Sequence, residues 1–130
     1  MKTIEVVAGV IRNEANQIFC VQRGISSKEY ISKKWEFPGG KLEDGESQKD
    51  ALSRELNEEL KLDVEVLDLV ITVDHTYPDF RLIMHAYECA IIGKKQPVLT
   101  EHLDSKWLYS NELEPLDWAA ADVPIVNILK

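Results

Sequence analysis

The sequence predicts one α+β domain in which helices pack on a mixed β-sheet. Its length of 130 residues suits one domain with a hydrophobic core and is too short for two ordinary domains. Segments with strand and helix patterns follow the order strand, strand, helix, strands, helix, which is typical of an α+β fold. No internal repeat, linker or low-complexity tract interrupts that order. We therefore expect residues 1–130 to form a single domain.

The first segments predict a β-hairpin followed by a loop and a turn. Residues 4–11 and 17–22 are rich in β-prone side chains, and the polar stretch 12–16 joins them. Residues 23–34 are polar and without periodicity, which predicts a loop. Residues 35–40 end in Pro-Gly-Gly and predict a rigid turn.

The next segment predicts a helix from about Ser47 to Leu60. Ser47 is suited to cap its first turn, and Asp50 supports that turn. Four apolar residues at helical spacing form a stripe that can face the sheet: Ala51, Leu52, Leu56 and Leu60.

The second half of the chain predicts more strands and a terminal helix. Residues 64–75 and 82–92 are long β-prone runs separated by the turn signal Tyr77-Pro78-Asp79. Residues 93–104 predict a loop, and residues 106–109 predict a short strand. A brief helical turn is expected at 110–112, and residues 122–130 form the last predicted helix, with Pro124 in its first turn.

Composition and charge exclude several classes of partner. The net charge of -8 argues against nucleic acid polymers and anionic membranes, because binding to phosphates needs clustered Lys and Arg. No apolar stretch approaches the roughly 18 residues of a membrane span. Cys20 and Cys89 lie in apolar runs and are expected to be buried free thiols, as in a cytoplasmic protein. An acidic chain can still bind a nucleotide when a divalent metal lies between carboxylates and phosphates.

The predicted helix carries a cluster of carboxylates. Glu55, Glu58 and Glu59 crowd one edge of it, and like charges at this spacing destabilise a helix by a few tenths of a kcal/mol per pair. Arg54 can reach Glu58 but cannot neutralise this group together with Glu46. A hard cation such as Mg²⁺ can, since it prefers oxygen ligands. The alternative is an acidic helix face that is simply solvated.

The spacing of these residues closely resembles the signature of the Nudix hydrolases. Gly40, Glu46 and residues 54–62 (RELNEELKL) match most of that signature, and residues 35–43 resemble its MutT-type branch. The resemblance implies the Nudix fold, an α/β/α sandwich around a mixed curved β-sheet. One position departs from the family pattern, because Lys61 stands where a Gly is usual. Lys is less stable than Gly by roughly 1 kcal/mol in the left-handed conformation that ends a helix.

The resemblance also implies a metal centre. Glu58 and Glu59 would hold Mg²⁺, with Mn²⁺ as a substitute, and the carbonyl of Gly39 would complete the inner shell. Glu55 would be either the general base or a further metal ligand. An additional acid often joins the cluster from a distant loop, and Glu101 is the residue in the expected place; its alternative is an ordinary exposed loop glutamate.

Two further residues of the signature have supporting roles by the same resemblance. Arg54 would fix the carboxylates through charge-assisted hydrogen bonds. Glu46 would be an auxiliary ligand or a structural anchor at the start of the helix.

Family members of this branch hydrolyse a nucleoside triphosphate to the monophosphate and pyrophosphate, with attack at the β-phosphorus. Arg23 resembles the arginine that contacts phosphate, although a solvent-facing residue at a strand end is the alternative. Asp122 stands where relatives read the base, or it is merely the N-cap of the last helix. Phe37 either stacks on the base or belongs to the core.

An ionised Asp accepts from the exocyclic amine of cytosine, whereas an oxopurine offers both donors and acceptors. Residues 4–8, 85–87, 101–102 and 121–124 resemble the CTP pyrophosphohydrolase subgroup more than the enzymes that act on 8-oxo-dGTP. This resemblance implies a cytidine or modified pyrimidine nucleotide as the substrate. An 8-oxo-dGTP diphosphatase is the alternative, and a nucleotide-sugar or dinucleoside polyphosphate hydrolase is a second enzymatic rival. A catalytically silent nucleotide sensor is the rival from another class. The oligomeric state is expected to be a monomer or a homodimer.

The remaining distinctive side chains carry no site in this interpretation. Three histidines are scattered without the close pairing of a zinc site, namely His75, His85 and His102. Trp107 and Trp118 are expected to be core or rim residues.

Overall fold

The computed structural model describes residues 1–130 and contains one sheet of seven strands with two α-helices. In chain order the strands are β1 (Lys2–Arg12), β2 (Ile18–Gln22), β3 (Trp35–Glu36), β4 (Gly39–Lys41), β5 (Val64–Thr76), β6 (Phe80–Ile91) and β7 (Asp104–Leu108). The helices are α1 (Gln48–Leu60) and α2 (Val123–Leu129). Short 3₁₀ helices form at Ser110–Glu112 and Ala120–Asp122. The predicted α+β class is confirmed.

The sheet is mixed, with the order β3-β2-β1-β6-β5. Strand β1 runs parallel to β6 along its whole length, from the pair Lys2 and Phe80 to the pair Arg12 and Ala90. Its other edge is divided, because β2 pairs with it at Arg12 and β4 pairs with it between Val6 and Ala8. Strand β7 extends the sheet from β2.

The two helices pack on opposite faces of the sheet. Side chains of β1 alternate between the faces, as strand geometry requires. Val7 and Ile11 join the core cluster that contains the apolar stripe of α1, whereas Ala8 and Val10 join the cluster that contains Ile125 of α2. The expected α/β/α sandwich is therefore present.

Helix α1 has the ends that the sequence predicts. The Ser47 hydroxyl accepts a hydrogen bond from the Asp50 N–H at 3.1 Å. Lys61 adopts the left-handed conformation with φ of 54°, and its N–H donates to the Asn57 carbonyl. The N–H of Leu62 donates to the Leu56 carbonyl, which completes a Schellman-type ending with Lys in the place that favours Gly.

The prediction of a turn over residues 35–40 was wrong in part, because this segment forms the two short strands β3 and β4. Gly39 and Gly40 permit β4 to approach β1 closely. A Cβ on Gly39 would lie 1.9 Å from the Val7 carbonyl oxygen, so any larger residue would push the strands apart. Strands of two and three residues have no periodicity of their own, which is why the sequence pattern did not indicate them.

The end of the chain also differs from the prediction. Helix α2 begins at Val123, after the 3₁₀ helix, and the Asp122 side chain makes no capping hydrogen bond to it. Asp122 therefore occupies the N-cap position that the alternative predicts, but its side chain does not cap the helix. Trp118 is buried in the core, while Trp107 is half-buried against Phe19 at the edge.

Both cysteines are buried and unpaired, as expected. Burial raises the pKa of each thiol to about 12. No helix in the structure combines the length and the apolar character that a membrane crossing requires.

Candidate active site

A cleft of about 820 Å³ opens beside the divided edge of β1. Its wall includes side chains from α1, β3, the β5–β6 hairpin and the loops after β2 and β6. Two groups of polar residues line it. One is the acidic group Glu55, Glu59 and Glu101, and the other surrounds Asp122 near the start of α2.

Arg54 organises the carboxylates at the start of α1. Its guanidinium donates two hydrogen bonds to Glu46, at 2.7 and 2.8 Å, and others to Glu55 at 3.1 Å and Glu58 at 3.3 Å. It also donates to the Lys41 carbonyl at 3.2 Å. The hydrogen bond from Arg54 lowers the pKa of Glu46. The predicted fixing role of Arg54 matches this geometry, and Glu46 lies where an anchor would.

Glu55 is held against the backbone of β4. Its side chain is 12% exposed, and a Cβ on Gly40 would lie 2.3 Å from its carboxylate. A larger residue at this position would displace the carboxylate from where it lies. Oxygen Oε1 accepts from Arg54, and Oε2 has no side-chain hydrogen-bond partner.

Glu59 and Glu101 lie together in the cleft, and the pKa of Glu59 is strongly raised. Burial raises the pKa of Glu59 to about 9, assisted by the Glu101 carboxyl within hydrogen-bonding reach and by the charges of Glu55 and Glu36. The loop that carries Glu101 is tied to α1, because the Thr100 hydroxyl donates to the Glu59 carbonyl at 2.7 Å. Glu101 thus lies beside the cluster, although it is distant in the sequence.

Glu58 lies apart from this pair. Its side chain is 59% exposed, it is bonded to Arg54, and it does not line the cleft. Successive helical residues point about 100° apart, so the packing of α1 turns Glu55 and Glu59 inward and leaves Glu58 at the rim.

The acidic group suits a hard divalent cation by the chemistry of its donors. Glu55, Glu59, Glu101 and the Gly39 carbonyl offer oxygen atoms alone, and oxygen is the ligand that Mg²⁺ prefers. Burial and the neighbouring carboxyls raise the pKa of Glu59, and a bound cation would favour its ionised form. No three acidic, His or Cys side chains already surround one point as a metal-binding group.

The second group begins with an ion pair that sequence reasoning missed. Arg23 lies 3.5 Å from Glu36, and the Glu36 side chain is 23% exposed in the cleft wall. Burial raises the pKa of Glu36, opposed by the charge of Arg23. The alternative of a purely solvent-facing Arg23 does not describe this arrangement.

Asp122 is the most deeply buried acid of the cleft, at 4% exposure. Its Oδ1 accepts a hydrogen bond from the Phe37 N–H at 3.0 Å, and Oδ2 has no side-chain or backbone partner. Burial raises the pKa of Asp122 well above its ordinary value, and the charge of Glu36 adds to the effect. The Phe37 ring is buried and stacks on Trp118 at 4.8 Å, which supports the core interpretation while leaving Phe37 in the cleft wall.

Tyr77 and His102 also line the cleft and were not predicted as site residues. The Tyr77 hydroxyl accepts from the Ala121 N–H, a contact across 44 residues that no local spacing could indicate. Nδ1 of His102 is buried without a hydrogen-bond partner.

The other two histidines lie outside the cleft. His85 bridges the Thr72 hydroxyl and the Glu5 carboxylate, and His75 packs edge-on against Tyr77. None of the three histidines belongs to a group of three or more His, Cys, Asp or Glu side chains that could hold a metal.

Comparison with known proteins places this arrangement in a family. The family model described as NUDIX domain matches residues 7–127. The 8-oxo-dGTP diphosphatase of Escherichia coli K12 is 32% identical over 130 residues, which cover 100% of this chain and 98% of that protein. The CTP pyrophosphohydrolase of the same organism is 35% identical over 128 residues, which cover 98% of this chain and 91% of that protein.

A solved structure gives the same result for the fold. The solution NMR structure of MutT, a Nudix hydrolase of methicillin-resistant Staphylococcus aureus 252, is 45% identical, with a TM-score of 0.75. The match covers 99% of this chain and 98% of that one.

Proposed function

We propose that this chain, which belongs to the NUDIX domain family, hydrolyses cytidine triphosphates to the monophosphate and pyrophosphate with Mg²⁺. The proposal starts from its relatives, which are nucleotide pyrophosphohydrolases. The observation that carries the proposal is the pairing of two acidic groups in one cleft. Glu55, Glu59 and Glu101 suit a metal with its phosphates, and Asp122 suits the base.

Nudix hydrolases generally use divalent metal ions. By the family resemblance, Glu58, Glu59, Glu101 and the Gly39 carbonyl would hold Mg²⁺ or Mn²⁺, with Glu55 as a further ligand or the general base. Glu58 lies outside the cleft wall on Arg54 and would have to leave that contact to join them. When bound, the ion neutralises charge on the phosphates and lowers the pKa of water in contact with it.

Residues of the chain position the attacking water and accept its proton. Glu55 keeps Oε1 on Arg54, so its Oε2 is available to take that proton. The water oxygen bonds to the β-phosphorus, and the oxygen that bridges the α- and β-phosphorus leaves with the nucleoside monophosphate. Arg23 contacts the phosphates and gives up part of its long contact with Glu36.

The role of Glu55 can be separated from that of the ligands. If Glu55 is the base, Glu55→Gln lowers kcat roughly 100-fold or more, with Mg²⁺ affinity unchanged by calorimetry. If it is a further ligand, both kcat and Mg²⁺ affinity fall.

Glu58→Gln is expected to weaken Mg²⁺ binding and to remove most activity while the fold stays intact. Near-normal turnover in this variant would show that Glu58 is not a metal ligand.

Cytosine is proposed as the base because Asp122 is buried in the cleft wall and its Oδ2 has no hydrogen-bond partner within the chain. An ionised carboxylate there accepts from the exocyclic amine of cytosine, and bound base would offset the burial that raises the Asp122 pKa.

The second candidate is an 8-oxo-dGTP diphosphatase. It is favoured by the full-length relative with that name and by the ability of a carboxylate to accept from the N–H donors of an oxopurine.

The deciding experiment is a substrate panel with purified protein and Mg²⁺: CTP, dCTP, 5-substituted dCTP, dGTP and 8-oxo-dGTP. Release of pyrophosphate with highest kcat/KM on a cytidine nucleotide is expected, and in H₂¹⁸O the label should enter pyrophosphate. Highest kcat/KM on 8-oxo-dGTP would replace the proposal with the second candidate. Binding without turnover would indicate a sensor, and release of a sugar phosphate from nucleotide sugars would indicate another substrate class.

A further inference from the structure

Tyr77 is fixed rigidly in the wall of the cleft. It lies at the turn of the β5–β6 hairpin and is 4% exposed. Its ring stacks on Tyr30 and Phe80, at 5.0 and 5.1 Å between centroids, and the ring of His75 meets it edge-on at 4.5 Å. With neighbours on three sides the ring cannot turn away, so the hydroxyl has a defined position.

The hydroxyl has one unused hydrogen-bonding capacity. Its oxygen accepts from the Ala121 N–H at 3.1 Å, next to Asp122 in the chain. A phenol also has one O–H donor, and that proton has no acceptor within the chain. Burial raises the pKa of Tyr77 above its ordinary value, with the charges of Asp122 and Glu36 adding to the effect. The phenol therefore stays protonated at neutral pH and remains a donor.

Free donors are few among the groups next to Asp122. Asp122 and Glu36 present acceptors when ionised, the Phe37 N–H is already bonded to Asp122, and Arg23 faces Glu36. A nucleobase carries carbonyl acceptors as well as amine donors, and a site with acceptors alone would leave a buried carbonyl unpaired. The Tyr77 O–H is a donor without an acceptor beside Ala121 and Asp122, and it meets this need.

We propose that Tyr77 is a specificity-determining residue whose hydroxyl donates to the C2 carbonyl oxygen of a pyrimidine base. The neighbouring Asp122 accepts from the exocyclic amine of the same base, so that the two side chains read a donor and an acceptor together. This inference rests on the proposed cytidine triphosphate activity and assigns a second base contact to that site.

The test pairs a residue change with a substrate change. Tyr77→Phe removes only the hydroxyl, and 2-thio-CTP replaces the C2 carbonyl oxygen with sulfur, a weaker acceptor. Wild-type protein is expected to lose roughly tenfold in kcat/KM from CTP to 2-thio-CTP, the usual effect of one neutral hydrogen bond. In Tyr77→Phe the ratio between the two substrates should fall to about 1, because the interacting group is already absent. Tyr30→Phe is the matched control, since its hydroxyl contacts Asp79, and it should keep the wild-type ratio.

Other outcomes overturn the inference in distinguishable ways. If Tyr77 only supports Ala121, Tyr77→Phe lowers kcat/KM equally on both substrates and the ratio stays at the wild-type value. Equal turnover of CTP and 2-thio-CTP by wild-type protein also overturns it, even if Tyr77→Phe does not fold. Failure of wild-type protein to hydrolyse CTP, while 8-oxo-dGTP is turned over, overturns the cytidine proposal and this inference together.

Discussion

At the scale of single residues, the environment of Asp122 decides what its carboxylate can do. Oδ1 is committed to the Phe37 N–H, so only Oδ2 can face a base. Asp122→Asn can keep the first contact through its carbonyl oxygen and places an amide donor at the second position. We expect kcat/KM on CTP to fall roughly 10-fold to 100-fold, the effect of losing a charged hydrogen bond, while UTP, with a carbonyl at C4, is affected less.

The measurement is kcat/KM on both nucleotides in parallel. Asp117→Asn is a matched control, because Asp117 is exposed and bonded to Lys34 away from the cleft. Equal losses on CTP and UTP would assign Asp122 a structural role through Phe37.

The raised pKa of Glu59 should make the stability of the metal-free protein depend on pH. Its pKa of about 9 in the folded state lies above its ordinary value of 4.5, so the folded protein holds a proton that the unfolded chain releases. Stability is therefore fully present below about pH 4.5 and is lost as pH rises toward 9. Glu59→Gln lacks this contribution. Between pH 5 and 9, the Tm of the metal-free variant should therefore fall by a few degrees less than the Tm of the metal-free wild type.

Thermal unfolding of both proteins in chelator measures this difference. Glu65→Gln, an exposed carboxylate on β5, should behave as wild type. Parallel curves for wild type and Glu59→Gln would show that Glu59 is ionised in the folded protein at neutral pH.

Residue spacing could predict the acidic cluster, but not which of its glutamates enter the cleft and which stays outside. The intervals between Glu55, Glu58 and Glu59 place all three on one edge of α1. Which of them enters the cleft depends on how α1 packs on β1 and β4, and that packing is a tertiary property. The contacts of Glu36 and Tyr77 were invisible for the same reason, since their partners come from distant segments.

At the scale of elements, α1 ends in a strained conformation. Lys61 has φ of 54°, where a β-carbon is unfavourable and Gly is not. Lys61→Gly is expected to raise the free energy of unfolding by about 0.5–1 kcal/mol, because relief of strain exceeds the added entropy of the unfolded chain. Activity should stay unchanged, since Lys61 does not line the cleft.

Urea unfolding monitored by circular dichroism provides the measurement. Lys61→Ala removes the charge and keeps the strain, so it should give no such gain. A gain of equal size in both variants would point to charge rather than backbone conformation.

The long elements were predictable and the short ones were not. Helix α1 carries a capping residue and an apolar stripe that agree, and the structure places it within one residue of the prediction although Lys61 replaces the usual Gly at its end. Strands β3 and β4 exist only because β2 and β1 offer paired edges. The shape of the cleft depends on those two strands. The sequence therefore indicated which chemical groups the site contains, but not which segments form the wall of the cleft.

At the scale of the whole molecule, net charge and metal binding are linked. The chain carries a net charge of -8, and several of its carboxylates converge on one cleft. A divalent cation bound there lowers the repulsion among them, and it binds the folded state only. Mg²⁺ should therefore raise Tm in proportion to the logarithm of its concentration above Kd.

The gain should depend on pH in a defined direction. Metal ligands must be deprotonated, and the raised pKa of Glu59 means that protons compete with Mg²⁺ at low pH. We expect a clear rise in Tm with 5 mM Mg²⁺ at pH 8.5 and a much smaller one at pH 5.5. Differential scanning fluorimetry with and without Mg²⁺, at constant ionic strength set by NaCl, separates binding from general screening. Glu59→Gln should lose the rise at pH 8.5, whereas Glu65→Gln should keep it. An equal rise at both pH values in all three proteins would mean that Mg²⁺ acts on surface charge and not in the cleft.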